Sequence, residues 1–365
     1  MTQFADIFRG RKILITGHTG FKGSWLALWL TQLGAEVSGI ALPPDTSPAH
    51  WNLLKLPVSS HIADINDASA VKKVLQQSQP ELVLHLAAQP LVRSSYQDPV
   101  LTWQTNVVGT VNVLDACRHQ ESVRAILVIT TDKVYENNNV GNDFIESDPL
   151  GGYDPYSASK AACELVVQSY RRSFFAEKNV LLASARAGNV IGGGDWAKDR
   201  LIPDIVRAMQ SESATPSSQT QLAIRYPFAI RPWQHVLDSL SGYLCLAHRL
   251  LLQEKDKAAA WNFGPNPEHC RSVSDVLSQM KLHWPDLRWF EDSIAQVHEA
   301  ERLTLNSSAA QVHLGWKPVW GFEETAQHTA EWYKRFYLDQ QVISQQQLEI
   351  YIRSAQMNNS LWVNN

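Results

Sequence analysis

The sequence predicts an α/β protein with a doubly wound parallel sheet and a smaller C-terminal lobe. Three observations predict it. Short, continuously apolar runs alternate with segments of helical spacing through about the first 190 residues. A glycine-rich turn at residues 17–23 follows the first apolar run directly. Beyond residue 190 the chain becomes more polar and carries more Pro, Ser and Thr.

Each strand is predicted from an apolar run, and each helix from its spacing and end signals. Gly34 is a typical helix C-terminal stop. Asp154 followed by Pro155 is a typical helix start, with Asp as the cap and Pro at the first helical position. Strands are predicted over residues 11–16, 36–42, 81–87, 125–131, 181–191 and 258–264, and helices over residues 23–33, 101–120 and 155–175.

The remaining segments are predicted from composition. The Ser- and Thr-rich residues 211–221 are expected to form a loop on the smaller lobe. Residues 341–365 are rich in Gln and Asn and have one weak apolar stripe, which predicts a peripheral helix that frays. We predict a dinucleotide-binding domain over residues 1–188, with a returning segment at about 233–263, and the smaller lobe over residues 189–232 and 264–340.

Composition excludes several classes of protein. Among 365 residues, 36 acidic side chains outnumber 32 Lys and Arg, which argues against a nucleic-acid binder. No run of about 18 apolar residues is present, so we expect no membrane-spanning helix. The four cysteines are far apart and the N-terminus lacks the layout of a secretory signal, so we expect a cytoplasmic protein without a metal site.

The glycine-rich turn has the spacing GxxGxxG between a strand and a helix. Glycine lets the backbone turn tightly and approach a pyrophosphate, which then binds at the positive end of the helix dipole. The strand end LAAQ, made mostly of small residues, is expected to line the same cofactor. The predicted cofactor-binding residues are Gly17, His18, Thr19, Gly20, Phe21, Lys22, Gly23, Leu86, Ala87, Ala88 and Gln89.

The second predicted strand ends without the acidic residue that usually binds the adenosine ribose. The sequence therefore does not choose between NAD and NADP by this rule. Asp64, followed by Ile65, is a candidate for the adenosine half, and an ordinary exposed loop aspartate is the alternative reading of the same residue.

Two further motifs carry acid–base chemistry. Tyr156 and Lys160 form a YxxxK pattern at a helix start, which places both side chains on one face. We expect the ammonium, together with the positive nicotinamide, to lower the phenol pKa, so that the phenolate can take a proton from a hydroxyl while hydride leaves the same carbon. Thr131, Asp132 and Lys133 follow a predicted strand, at the sheet edge where ligands bind in open α/β sheets. Alone, each motif is common, and together they are far less so.

These motifs resemble the extended short-chain dehydrogenase/reductase family. Longer blocks resemble the members of that family that dehydrate nucleotide sugars, in particular CDP-glucose, and the resemblance covers about residues 8–356. The blocks are GHTGFKGSWL, HLAAQPLVRSSY, TTDKVYEN, GGYDPYSASKA and RAGNVIGGGDWAKDRLIPD.

The resemblance implies an NAD-dependent 4,6-dehydration of CDP-glucose in deoxysugar (O-antigen type) biosynthesis. Tyr156, helped by Lys160 and Thr131, would take the O4 proton while hydride passes from C4 to NAD. The C5 proton and the C6 hydroxyl would then leave as water, and the hydride would return to C6. The smaller lobe would bind the nucleotide sugar, and Asn106 would contribute to the cofactor site.

One position departs from the pattern of the related dTDP-glucose dehydratases. Asp132 matches the general acid for water loss, but Lys133 stands where those enzymes have Glu as the C5 base. An ammonium cannot accept a proton. Two assignments therefore stay open: Lys133 acts as a deprotonated base, or Asp132 performs both transfers.

The nucleotide half of the substrate needs side chains that donate hydrogen bonds to its phosphates, and apolar side chains that line the pocket around it. Arginine suits bidentate phosphate binding, and an asparagine at a strand end can hold a diphosphate oxygen. The tryptophans either line the pocket or belong to the core. The candidates are Arg93, Asn189, Trp196, Arg200, Arg231, Trp233 and Arg302.

Three other functions compete with this interpretation. A nucleotide-sugar 4-epimerase shares the tyrosine, lysine and threonine but loses no water, so Asp132 and Lys133 favour dehydration. A dehydratase of another nucleotide hexose fits the same motifs. A non-catalytic NAD-binding scaffold is disfavoured because Tyr156 and Lys160 are both present. The family also implies a homodimer or homotetramer formed through the helices at residues 101–120 and 154–175.

Overall fold

A seven-stranded parallel sheet lies at the centre of the computed structural model, which describes residues 3–137, 143–214, 221–292 and 300–364. The strands in chain order are β1 (Lys12–Thr16), β2 (Glu36–Ala41), β3 (Ser59–Ile62), β4 (Leu82–His85), β5 (Ala125–Ile129), β6 (Leu181–Ala187), β7 (Val190–Ile191), β8 (Leu222–Ile224), β9 (Ile230–Arg231), β10 (Gln234–His235), β11 (Ala260–Phe263), β12 (Arg271–Ser272) and β13 (Trp289–Glu291).

The central sheet has the order β11-β6-β5-β4-β1-β2-β3, and every neighbouring pair is parallel. The direction of winding reverses between β1 and β4, which is where open α/β sheets bind ligands. All residues of β4 and β5 are buried, because helices cover both faces of the sheet. The predicted fold class is confirmed.

Helices pack on both faces of the sheet. Apolar side chains of α1 and α9 form the core on one face, and those of α3, α6 and α7 form it on the other. The helices are α1 (Phe21–Gln32), α2 (His50–Leu54), α3 (Ala68–Ser78), α4 (Val92–Gln97), α5 (Pro99–Trp103), α6 (Gly109–Arg118), α7 (Pro155–Tyr170), α8 (Leu201–Ala214), α9 (Val236–Leu251), α10 (Val273–His283), α11 (Ser308–Leu314), α12 (Phe322–Asp339), α13 (Ser344–Met357) and α14 (Leu361–Asn364).

The two predicted long helices each contain a π-helical turn. Gln104–Val108 joins α5 to α6, and Arg171–Phe175 extends α7. The predicted single strand over residues 181–191 is wrong, because it is divided into β6 and β7, and β7 pairs with β10 in a separate small sheet. The chain changes direction at Gly188, where a Cβ atom would lie 2.3 Å from the Pro232 ring.

The expected loop over residues 211–221 is also corrected. Helix α8 continues to Ala214, because helical spacing persists into the polar segment, and residues 215–220 lie outside the described part of the chain. The C-terminal helix forms as α13, but it does not fray. It buries Leu348, Tyr351 and Ile352, and the Tyr351 hydroxyl donates a hydrogen bond of 2.8 Å to Asp238 on α9.

Candidate active site

A cavity of about 730 Å³ opens beside the reversal of strand order. Twenty-one of the predicted site residues line it: Gly17, Thr19, Gly20, Phe21, Lys22, Gly23, Asp64, Ile65, Leu86, Ala87, Ala88, Arg93, Thr131, Lys133, Tyr156, Lys160, Asn189, Trp196, Arg200, Arg231 and Trp233. The other five, which do not line it, are His18, Gln89, Asn106, Asp132 and Arg302.

The glycine-rich turn wraps tightly between β1 and α1. Gly17 has a φ of +76°, and a Cβ atom there would lie 2.8 Å from the Ala87 nitrogen. A Cβ atom on Gly23 would lie 2.1 Å from the Gly17 oxygen. Side chains are therefore excluded at Gly17 and Gly23, and the backbone can approach a ligand closely at these two positions. This is the geometry that a pyrophosphate group needs.

His18 belongs to the turn, but its side chain packs away from the cavity. Its Nε2 atom lies 2.7 Å from the Ser60 hydroxyl, and its ring meets the Trp51 ring edge-on at 4.6 Å. Burial lowers the His18 pKa to about 4, so the ring is neutral at pH 7. The side chain therefore joins the turn to β3.

Gln89 and Asn106 connect the end of β4 to α7. The Gln89 backbone N–H donates to Asn106 Oδ1 at 2.8 Å, and Asn106 Nδ2 donates to the Gln89 oxygen at 3.1 Å and to Ser159 Oγ at 2.9 Å. These bonds fix the segment after Ala88. The Asn106 side chain thus supports the cavity wall through the Gln89 backbone.

Two acidic residues line the cavity in the segments that follow β2 and β3. Asp64 lines it next to Ile65, and one of its oxygens accepts a hydrogen bond of 2.9 Å from the Asn66 backbone N–H. Asp45, in the loop after β2, also lines the cavity. The sequence reasoning missed Asp45, because it lies beyond two prolines and past the usual position of the ribose-binding acid.

Tyr156 and Lys160 lie on the first turns of α7, which begins at the predicted cap. Asp154 Oδ1 accepts from the Ser157 backbone N–H at 2.9 Å. The Lys160 ammonium is buried and donates to the Ile129 oxygen at 3.3 Å, so the end of β5 fixes its position. The i, i+4 spacing places both side chains at the carboxyl end of β5.

The predicted lowering of the Tyr156 pKa includes the positive charge of a bound nicotinamide, and in the protein alone the pKa shifts in the opposite direction. Burial raises the pKa to about 12, and the opposing hydrogen bond with the Thr131 side chain does not compensate for it. Burial also lowers the Lys160 pKa. The sequence indicated that the Lys160 ammonium would lie near Tyr156, but it did not indicate how deeply the Tyr156 phenol is buried.

An ion pair between a buried carboxylate and a half-buried amine follows β5 directly. Asp132 is fully buried, and its Oδ1 atom accepts from the Thr131 hydroxyl at 2.9 Å and from Lys133 Nζ at 3.1 Å. Lys133 Nζ also lies 3.5 Å from Asn189 Oδ1. Asp132 Oδ2 has no hydrogen-bond partner among the described residues. The site thus contains a carboxylate with one satisfied oxygen and one that can act on a ligand or another donor.

A second buried ion pair supports this region. Glu164, one turn after Lys160, accepts from Thr130 Oγ1 at 2.5 Å, Ser184 Oγ at 2.8 Å and Arg186 Nη2 at 2.9 Å. These bonds join α7 to the ends of β5 and β6. The sequence reasoning missed the pair, because its two members are 22 positions apart.

Three of the proposed substrate residues line the far end of the cavity, which we define as the part formed by the lining residues between 187 and 233. Arg200 Nη1 pairs with Asp195 at 3.1 Å, and Arg231, a buried residue, donates to the Ile230 oxygen at 2.9 Å. Asn189 follows the β6 strand end. Arg225 and Tyr226 line the same end and were missed, because no motif marks them.

The four remaining candidates have structural contacts of their own. Trp196 donates to the Tyr337 hydroxyl at 2.9 Å and Trp233 to the Arg271 oxygen at 3.0 Å, and both are buried, which favours the core-packing alternative for most of each ring. Arg93 pairs with Asp199 at 2.9 Å. Arg302 pairs with Asp143 at 3.3 Å, away from the cavity lining.

The described residues contain neither a predicted metal site nor a membrane-spanning helix. Among the described residues, no group of three or more His, Cys, Asp and Glu is arranged to hold a metal ion. No helix in the described ranges is both long enough and apolar enough to cross a membrane.

Comparison with known proteins gives a consistent set of matches. The family model for GDP-mannose 4,6 dehydratase matches residues 14–329. CDP-glucose 4,6-dehydratase of Salmonella typhimurium is 45% identical over 337 residues, covering 90% of this chain and 92% of that protein. dTDP-glucose 4,6-dehydratase of Xanthomonas campestris pv. campestris is 28% identical, covering 88% and 92%.

Solved structures agree with the fold. The UDP-glucose 4-epimerase of Thermus thermophilus, solved as a complex with NAD, superposes with a TM-score of 0.72 at 25% identity, covering 88% of this chain and 98% of that one. The resemblance to the extended short-chain dehydrogenase/reductase family is therefore confirmed.

Proposed function

The chain belongs to the GDP-mannose 4,6 dehydratase family, and we propose that it is a hydro-lyase that converts CDP-glucose to CDP-4-keto-6-deoxyglucose. The observation that carries the proposal is the Asp132–Lys133 pair, 3.1 Å apart and adjacent to Thr131, in which Lys133 lines the same cavity as Tyr156 and Asp132 is buried beside it. A 4-epimerase needs no group to expel water from C6. Loss of water requires an acid and a base at this position, and Asp132 and Lys133 are the two candidates for these roles.

The residues of the glycine-rich turn fit a dinucleotide, because the backbone of Gly17 and Gly23 leaves no room for a Cβ atom and can approach a ligand closely there. NAD, when bound there, supplies the acceptor and later the donor of the hydride. Asp64 and Asp45 line the part of the cavity that we assign to the adenosine half, and their negative charge favours a ribose hydroxyl over a 2′-phosphate.

Tyr156 performs the first proton transfer. Its phenolate form takes the proton from the sugar O4 hydroxyl and becomes the phenol, and the Thr131 hydroxyl hydrogen-bonds the same oxygen. Lys160 is held by the Ile129 oxygen, 3.3 Å away, and its positive charge opposes the effect of burial on the phenol. These three residues thus prepare C4 for oxidation.

Asp132 and Lys133 perform the loss of water. The 4-keto group acidifies the C5 hydrogen, so a base can remove it while an acid protonates the departing C6 hydroxyl. Asp132 donates the proton to that hydroxyl. Lys133, or Asp132 itself, accepts the C5 proton, and the structure places both groups within 3.1 Å of each other.

The far end of the cavity binds the nucleotide half of the substrate. Arg200 and Arg231 supply guanidinium groups for the diphosphate, and Asn189 supplies an amide beside them. Trp196 and Trp233 line the same end of the cavity. Arg93 and Arg302, both paired with aspartates, contribute less.

The chain assembles as a homodimer or homotetramer through α4–α7 and their π-helical turns. Large apolar side chains are exposed on this surface, which is unusual for a monomer. α5 contacts α7, so the exposed residues belong to one region. They are Tyr96, Val100, Leu101, Trp103, Val108, Leu165 and Phe174.

The reaction takes place in the cytoplasm. Cys117, Cys163 and Cys245 are buried free thiols, and Cys270 is a half-buried one. Free thiols suit a reducing compartment.

Incubation with CDP-, UDP- and dTDP-glucose tests the proposal directly. We expect the 4-keto-6-deoxy product from CDP-glucose at a rate well above the other two. Faster conversion of UDP- or dTDP-glucose would assign another nucleotide hexose. Formation of CDP-galactose would assign an epimerase, and no conversion of any of the three would favour a non-catalytic scaffold.

A further inference from the structure

One short segment carries three groups of the proposed reaction. It follows β5, runs from Thr130 to Tyr135, and includes Thr131, Asp132 and Lys133. Asp132 Oδ1 accepts hydrogen bonds from both Thr131 and Lys133. These bonds fix the three groups relative to one another, whereas their position in the cavity depends on how the two ends of the segment are held.

One buried ion pair binds both ends of this segment. At the first end, Thr130 Oγ1 donates to Glu164 Oε1 at 2.5 Å. At the other end, Arg186 Nη1 donates to the Tyr135 hydroxyl at 2.8 Å, and the guanidinium carbon lies 5.0 Å from the centre of the Tyr135 ring. Arg186 Nη2 joins the two ends by donating to Glu164 Oε2 at 2.9 Å. All four residues are buried.

The hydroxyl groups at the two ends are engaged inside the protein. The Tyr135 hydroxyl donates its hydrogen to Asn262 Oδ1 at 2.7 Å, and the Thr130 hydroxyl donates its hydrogen to Glu164. Both residues border the cavity, but these hydrogens are already shared with protein groups. Backbone bonds also hold the segment, since the Val134 oxygen accepts from a backbone N–H at 2.9 Å. The ion pair adds a side-chain contact at each end, and a fully hydrogen-bonded buried network is rigid.

We propose that Glu164 and Arg186 are positioning residues for the reaction, because they hold the segment at both ends and so keep its acid and base within reach of C6 and C5 of the sugar. Neither residue lines the cavity, so both act through the segment. A general acid or base works only within hydrogen-bond reach of the proton that it moves. A misplacement of about 1 Å can cost about a hundredfold in rate. This inference rests on the proposed dehydratase function.

Thr130→Val and Tyr135→Phe test the proposal, because each removes one hydroxyl and leaves the ion pair itself in place. We expect each variant to dehydrate CDP-glucose with a kcat at least about tenfold below that of wild type, as for loss of a hydrogen bond to a charged group. The KM should stay within about twofold, because the nucleotide half is bound elsewhere in the cavity. Thr130→Ser keeps the hydroxyl and should retain at least about a third of the wild-type kcat.

Ser184→Ala is the matched control. The Ser184 hydroxyl donates to Glu164 Oε2 at 2.8 Å, so the variant removes a bond of the same kind from the same ion pair, but Ser184 lies on β6 and outside the segment. We expect Ser184→Ala to lower the melting temperature as much as Thr130→Val does, and to keep kcat within about twofold of wild type. All rates are measured well below the melting temperature of each variant.

Three results would overturn the proposal. An equal loss of kcat in Ser184→Ala would show that the ion pair stabilises the fold alone. A wild-type kcat in both Thr130→Val and Tyr135→Phe would show that the ends of the segment need no such support. A raised KM at constant kcat would assign the two hydroxyls to substrate binding. Should one of the two variants not fold, the other decides the test. Wild-type protein that dehydrates none of CDP-, UDP- and dTDP-glucose would contradict the proposed function itself, and if it prefers another of the three, the same variants are compared on that substrate.

Discussion

At the scale of single residues, one buried carboxylate organises the reaction centre. Asp132 accepts from Thr131 and Lys133. The motif TTDK predicted these three residues, since adjacent positions stay adjacent in space.

Lys133→Met tests which group removes the C5 proton. Methionine has a similar length and apolar stem but cannot accept a proton. We expect the variant to lose exchange of the C5 hydrogen with deuterated solvent by at least about a hundredfold, as for removal of a general base, while it still oxidises CDP-6-deoxyglucose, which has no C6 hydroxyl and therefore measures oxidation at C4 alone. Mass spectrometry of the recovered sugar measures the exchange. Exchange at the wild-type rate would assign both transfers to Asp132.

At the scale of elements, the residues of the site are positioned by the ends of helices and strands. The caps and the glycine of the first turn were predicted, because they depend on neighbouring residues. The break between β6 and β7 and the π-helical turns were not predicted, since both depend on distant contacts such as that of Gly188 with Pro232. The apolar stripe of α13 was predicted, and its residues Leu348, Tyr351 and Ile352 are buried.

Leu165→Glu tests the oligomer surface on α7. Leu165 is 57% exposed in the single chain, and a buried glutamate at an interface between copies would be strongly unfavourable. We expect wild type to sediment as a dimer or tetramer and the variant to sediment mainly as a monomer. Val312→Glu is the control, because Val312 is 75% exposed and lies on α11, outside that surface. An unchanged assembly in Leu165→Glu would place the interface elsewhere.

His50→Gln tests how the C-terminal segment is held. His50 Nδ1 lies 2.8 Å from Ser24 Oγ, and Nε2 lies 2.7 Å from Ser344 Oγ, so the ring joins α1 to α13. Burial lowers its pKa from 6.5 to about 3. A depressed histidine pKa favours the folded state above pH 6.5, and that contribution falls as the pH drops from 6.5 towards 3, because the unfolded chain binds the proton first.

We therefore expect the free energy of unfolding of wild type to decrease more steeply on acidification than that of His50→Gln. Between about pH 6 and about pH 4, the slopes of the free energy of unfolding against pH should differ by about 1.4 kcal/mol per pH unit. This is the value expected for one additional proton bound by the unfolded chain. Urea titrations at several pH values measure it. His119→Gln, on the exposed surface, is the control. Parallel curves for wild type and His50→Gln would show that the histidine is not held neutral.

At the scale of the whole molecule, the order of the sheet brings the motifs together. The turn after β1, the LAAQ segment after β4, the TTDK segment after β5 and Asn189 after β6 all lie at one edge, because parallel strands share their carboxyl ends. This convergence could be predicted from the sequence. The Glu164–Arg186 pair and Asp45 could not, since each owes its position to how distant segments pack.

The central claim is that a hydrogen taken from C4 is returned to C6 of the same molecule. CDP-glucose labelled with deuterium at C4 tests it, with the product sugar analysed by NMR and mass spectrometry. We expect the label at C6 and no net consumption of coenzyme. Label that remains at C4, or coenzyme consumed in proportion to product, would contradict the account.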